Sequence, residues 1–189
     1  MPNLCYIRPC DAEELIGAWT IALSSDKRPT MLSIARDPTG PVPNTDRNQV
    51  RRGAYIIQDH PDYQLTLVSC GTNLHYAVAA AESLERQGIA TRVVSAPSLD
   101  LFEVQDDDYK NTVFPQGGRP IVSIEEYVAT TWARYVTASI GMTSYGYSAS
   151  NRSNYDRFGL NGNGIEKKVK QYLALLDGRS AREYGWRQL

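Results

Sequence analysis

LTLVSCGTNLHYAVAAAESLERQGIATRVVSAP, residues Leu65–Pro97, decides the architecture. Leu65 to Ser69 is a short, mostly apolar run with β-branched residues, as expected of a strand buried on both faces. Gly71 permits a sharp turn close to the sheet. Thr72 or Asn73 is placed to cap a helix by accepting a backbone N–H bond. Leu74, Ala77, Val78, Ala81 and Leu84 recur at helical spacing and form one apolar stripe. Gly88 suits a left-handed helix stop, and Thr91 to Ser95 returns as a second strand. A strand, a crossover helix and another strand imply parallel pairing with a right-handed connection.

Upstream, Asn3 to Ile7 predicts a strand. A helix follows, opened by Asp11 and Glu14 at capping-box spacing, with Leu15, Ile16, Trp19, Ala22 and Leu23 as its apolar face. Thr30 to Ala35 predicts another strand, with Arg36 at its carboxyl end. This β-α-β piece buries too little surface to stand alone. Asp37 to Arg52 carries three prolines and little periodicity and reads as a connection. Gly53 to Gln58 alternates as a strand.

Downstream, Leu101 to Phe114 predicts a short helix or turns, with Asp106 to Asp108 as a solvated acidic face. Pro120 to Ile124 predicts a third strand of the main sheet. Tyr127 to Thr137 has helical spacing, Ser139 to Tyr145 is a weaker strand, and Ser148 to Asn154 reads as a loop. Ile165 to Leu176 predicts the last helix, and Arg179 onward a tail. The expected fold is α/β: a three-layer sandwich on a mostly parallel five-stranded sheet with an antiparallel edge strand, plus a partial β-α-β piece at the N-terminus.

The 189 residues carry a formal net charge of -1, which offers no argument for a nucleic acid or an anionic lipid as partner. No apolar run approaches the roughly 18–20 residues of a membrane span. The opening MPNLCYIRPCDAEE lacks the apolar core of a secretory signal. Cys5, Cys10 and Cys70 have no metal-like spacing and read as reduced thiols of an intracellular protein. His60 and His75 sit in different elements and suggest no metal site. Cys70, at the end of a buried strand, reads as a structural thiol. The Gly71 turn outlines an anion cradle, though CGTNLH matches no phosphate-binding fingerprint. Arg36 is the sharper candidate, because a guanidinium at the carboxyl edge of an α/β sheet suits bidentate phosphate recognition.

The ordered blocks RPCDAEE (Arg8–Glu14), SIARDPTGPVP (Ser33–Pro43), RRGAYIIQD (Arg51–Asp59), Leu67–Gln105, IVSIEEYVATTWARYV (Ile121–Val136), IGMTSYGYSAS (Ile140–Ser150) and FGLNGNGIEKKV (Phe158–Val169) resemble the C-terminal part of transketolases. The fungal transketolase and dihydroxyacetone synthase branch is the nearest likeness. The resemblance implies four segments: residues 1–40 as the end of a pyrimidine-binding thiamine-diphosphate domain, 41–52 as linker, 53–178 as a transketolase C-terminal domain and 179–189 as tail. It implies a C-terminal part of an enzyme moving a two-carbon ketol unit between sugar phosphates, serving dimer assembly and one wall of the substrate funnel. No catalytic or metal-binding residue carries over. The parent's thiamine diphosphate and Mg²⁺ are held outside this stretch, so none is expected on this chain. Arg36 aligns with the family's sugar-phosphate arginine, here followed by Asp37 and Pro38 where the family has Gln and Asn, which weakens the field at a phosphate. The implied partners are a second copy or the N-terminal domains of the same enzyme. The implied compartment is cytoplasmic, or peroxisomal for a dihydroxyacetone synthase. The alternatives are that synthase, differing in acceptor, and a non-catalytic assembly or regulatory subunit of a split or diverged transketolase.

Overall fold

A computed structural model describes residues 3–36 and 38–189. The Leu65–Pro97 stretch forms β4 (Leu65–Ser69), α2 (Asn73–Glu85) and β5 (Thr91–Ser95), with β4 and β5 parallel in register from Leu65 opposite Thr91 to Ser69 opposite Ser95. Gly71 takes φ +55, the left-handed turn that its lack of a Cβ allows. Thr72 stands at the N-cap position but makes no capping bond, contrary to expectation, because its own backbone is already helical. The helix ends as expected: Gly88 has φ +81, and Ile89 N donates to Leu84 O across it.

The main sheet adds β3 (Tyr55–Gln58), β6 (Ile121–Val128), β7 (Ala138–Met142) and β8 (Arg187–Gln188), in the order β3-β5-β4-β6-β7-β8. Only β3 is antiparallel. The five expected strands are present, and a sixth comes from the segment read as tail. Successive strand residues face opposite layers: Leu67 and Val93 pack under α2 and α6 (Gly162–Leu176), while Val68 and Val94 pack against Phe102, Phe114 and Trp132. That second layer contains α3 (Leu99–Glu103) and α4 (Asp107–Val113), the latter capped by Asp106. The arrangement is the expected three-layer sandwich. Burying each of these large apolar side chains stabilises it by about 1.5–3 kcal/mol.

Two stretches differ from the sequence reading. The helix expected over Tyr127–Thr137 is absent, because β6 runs on to Val128 to pair with Met142 across a register shift and only a 3₁₀ turn, Ala129–Trp132, follows. The loop expected over Ser148–Asn154 begins α5 (Asn151–Phe158), capped by Ser150 and stopped by Gly159 in the left-handed conformation.

The N-terminal piece is a separate two-stranded parallel sheet, β1 (Cys5–Ile7) and β2 (Thr30–Leu32), joined by α1 (Ala12–Ser24). β2 ends three residues sooner than expected, once Ser33 N has donated to Ile7 O. The connection that follows is not loose. Asp11 Oδ2 accepts from Val42 N at 3.0 Å and Thr45 Oγ1 at 2.7 Å, and Val42 and Val50 are buried.

Asp11 and Glu14 form the expected helix start: Asp11 Oδ1 accepts from Glu14 N at 3.1 Å. Glu14 also leaves its own helix. Its side chain is wholly buried and accepts from Cys10 N, from Tyr55 Oη on β3 at 2.7 Å and from Ser95 Oγ at the end of β5. One carboxyl group thus staples α1 to the main sheet.

Candidate functional site

In the main sheet the chain order reverses between β4 and β6, so the loops leaving their carboxyl ends diverge. Such a switch point opens a crevice where ligands bind in α/β folds. Here Gly71 and Thr72 leave β4, and Glu125 and Glu126 lie near the end of β6. The N-terminal sheet covers the crevice through Arg8, which follows β1. Arg8 N donates to Pro97 O at 2.8 Å and Gly71 N donates to Arg8 O at 3.2 Å.

The Arg8 guanidinium is almost fully buried. It donates to Glu125 Oε2, to Glu126 Oε1 at 3.3 Å and to Cys70 Sγ at 3.4 Å, and stacks 4.3 Å from the Tyr127 ring centroid. Burial works against its charge, but the Glu125 carboxylate, paired and hydrogen-bonded to it, holds its pKa above the ordinary value. Burial first, then Glu125, pushes the Cys70 thiol well above its usual range. Cys70 is therefore a neutral thiol and a poor nucleophile, in line with the structural role expected of it.

Beside this cluster lies a cavity of about 210 Å³. It is lined by Arg8, by Ser33–Arg36 after β2, by Gly71, Thr72 and Glu126 of the main sheet's carboxyl edge, and by the α5 residues Asn151 and Tyr155. Arg36 is exposed at this cavity and makes no hydrogen bond or ion pair with another described residue. Tyr155 Oη donates to Glu126 Oε2 at 2.6 Å. Burial and this carboxylate raise the phenol's pKa, so the hydroxyl stays protonated and the bond is kept. A second cavity of about 280 Å³ adjoins, sharing Glu126, Asn151 and Tyr155 and walled by Tyr127, Met142 and Phe158.

The structure thus brings together two features read separately in the sequence, Arg36 and the Gly71 turn. Asp37, whose charge bears on the site, lies outside the described residues. His60 is exposed and does not line the cavity; His75 is half-buried on α2, with Nε2 unpartnered among the described residues. Arg8, Glu126, Asn151 and Tyr155 were not anticipated. The legible signal was the pair Glu125-Glu126 inside an otherwise apolar strand, since charge there needs a partner.

A thiamine diphosphate anchored through Mg²⁺ needs oxygen ligands gathered at one point. Among the described residues no group of three or more His, Cys, Asp or Glu side chains could hold a metal ion.

Residues 53–161 match the family model of the transketolase-like TK C-terminal domain. The chain is 38% identical to a transketolase of Cereibacter sphaeroides over 92% of its own length and 27% of the relative's. It is 34% identical to a dihydroxyacetone synthase of Candida boidinii over 92% of this chain and 24% of that one. A transketolase structure from Leishmania mexicana superposes with a TM-score of 0.87 at 38% identity, covering 97% of this chain and 26% of that one. A structure titled split gene transketolase, inactive beta4 tetramer, has the same fold at 21% identity, with a TM-score of 0.70 over 93% of this chain and 59% of that one. The chain spans about a quarter of the length of the curated relatives it matches. Transketolases use thiamine diphosphate, and the fold, the switch-point crevice and these matches together make this chain a member of the transketolase family.

Proposed function

We propose that the chain supplies the C-terminal domain, residues 53–178, and the end of the pyrimidine-binding domain, residues 1–40, of an enzyme transferring two-carbon ketol units between sugar phosphates. Residues 41–52 connect the two, and 179–189 close the sheet. Thiamine diphosphate, with its Mg²⁺, supplies the carbanion chemistry in such an enzyme and is held by segments outside this stretch. This chain's part is to form a wall of the substrate funnel, to hold the sugar phosphate through Arg36 and to take part in assembly. Three free thiols, Cys5, Cys10 and Cys70, favour the cytoplasm. No helix among the described residues is long and apolar enough to cross a membrane.

The observation that carries this reading is the apolar face of the N-terminal piece. A sheet of only two strands leaves Ile16, Trp19, Leu23, Met31 and Ile34 exposed, with Leu23 80% and Trp19 49% accessible. Such a patch marks a surface that is covered in the working assembly. Its cover is a second copy or the remaining domains, whether these belong to one polypeptide or to two. The purified chain is expected to self-associate through it, and exchanging Trp19 for Glu together with Leu23 for Lys weakens that association at least tenfold by light scattering. A wild-type monomer at high concentration counts against it.

The functional test is turnover. The purified 189-residue chain, given thiamine diphosphate, Mg²⁺ and a ketose phosphate with an aldose phosphate acceptor, is expected to form no product. Robust transfer by this chain alone overturns the reading.

A further inference from the structure

The Arg36 cavity carries both signs of charge. Its lining includes the Arg36 guanidinium, which has no partner among the described residues, and the Glu126 carboxylate, which is paired with the Arg8 guanidinium of the same lining. Glu126 is fixed there from two sides, by Arg8 on Oε1 at 3.3 Å and by Tyr155 on Oε2 at 2.6 Å. A phosphate beside Glu126 meets like charge, offset only in part by Arg8, which is shared between Glu126 and Glu125. It is drawn instead to Arg36. What Glu126 accepts is a hydrogen-bond donor without negative charge, and a charge-assisted bond to a carboxylate is about twice as strong as a neutral one.

We infer that Glu126 determines ligand specificity by reading the hydroxyl groups of a phosphorylated polyol whose phosphate lies on Arg36. This rests on the assignment of Arg36 as the phosphate ligand. It adds a recognition group from the C-terminal domain, near the end of β6, to one from the N-terminal piece. The ligand is thereby oriented head to tail, since turning it round places anion on carboxylate and hydroxyl on guanidinium.

The test uses the purified chain and calorimetry with three probes: inorganic phosphate, glycerol 3-phosphate and propyl phosphate, the last matching glycerol 3-phosphate in carbon count but lacking its hydroxyls. Wild type is expected to bind glycerol 3-phosphate at least tenfold more tightly than propyl phosphate. Glu126→Gln reduces that preference at least fivefold and leaves inorganic phosphate unchanged or tighter. Arg36→Ala weakens all three probes at least tenfold. If wild type binds the two esters equally, the Glu126 inference falls whether or not the Glu126 variant folds. If Arg36→Ala weakens all three while Glu126→Gln keeps the ester preference, Glu126 is not the reader and Arg36 stands. If wild type binds no probe, or Arg36→Ala changes nothing, both assignments fall.

Discussion

Gly53→Ala is expected to lower the melting temperature by about 10 °C or to prevent folding, a loss of about 4 kcal/mol or more. Gly53 stands where the connection enters the main sheet, with φ +79. A Cβ there would lie 2.2 Å from Phe102 N and 2.3 Å from Ser98 O, backbone atoms of α3 and of its N-cap residue. The backbone cannot simply draw aside, because Gly53 O accepts from Ser98 N at 2.9 Å and Gly53 N donates to Val50 O at 2.9 Å. Strain and overlap therefore act together. Gly40→Ala is the control: nothing lies within 4 Å of its Cβ position, so its melt stays within about 0.5 kcal/mol of wild type. Thermal melts followed by circular dichroism check both, and a Gly53→Ala melt within 2 °C (about 0.5–1 kcal/mol for a chain of this size) refutes the close approach to α3.

Glu14→Ala is expected to cost about 3–5 kcal/mol. Its carboxyl group serves three buried donors, Cys10 N, Tyr55 Oη and Ser95 Oγ, and each left unpaired costs about 1–3 kcal/mol. A urea midpoint shift of that size checks it; a shift below about 1 kcal/mol refutes the staple. The acid also has a pH signature. Burial raises the Glu14 carboxyl above its ordinary 4.5, although hydrogen bonds from Ser95, Tyr55 and Cys10 pull it back. A carboxyl raised on folding binds its proton more tightly in the native state. Its contribution is complete below pH 4.5 and is lost as pH rises through the folded-state value. The stability of wild type relative to Glu14→Gln, which does not titrate, therefore falls with rising pH; a difference independent of pH shows that Glu14 titrates as in the unfolded chain.

The core of the fold was legible because its signals are local. β4 is apolar on both faces, α2 carries a continuous stripe, and Gly71 and Gly88 take the backbone angles that their positions imply. The Asp11-Glu14 spacing announced α1. What escaped was set by distant contacts. Tyr127 and Val128 have helical neighbours in sequence, yet Met142 draws Val128 into the sheet. α5 has no buried residue, so no apolar period reveals it, and only Ser150 and Gly159 mark its ends. β8 is two residues long and held by Arg187 N on Thr137 O and Leu189 N on Ser139 O, which no local pattern encodes. The site divides likewise. Arg36 and Gly71 could be read one by one, but their meeting depends on Arg8 docking one sheet on the other, which also brings Glu126 into the same lining.

The cavity's lining comes from both sheets, so whatever occupies it bears on both. Occupancy and docking are then linked by a shared free energy, and each must favour the other equally. On the proposed function, a ligand held there would add to the cohesion of the two sheets, and a lesion at the Glu14 staple would be read at the cavity as lost affinity.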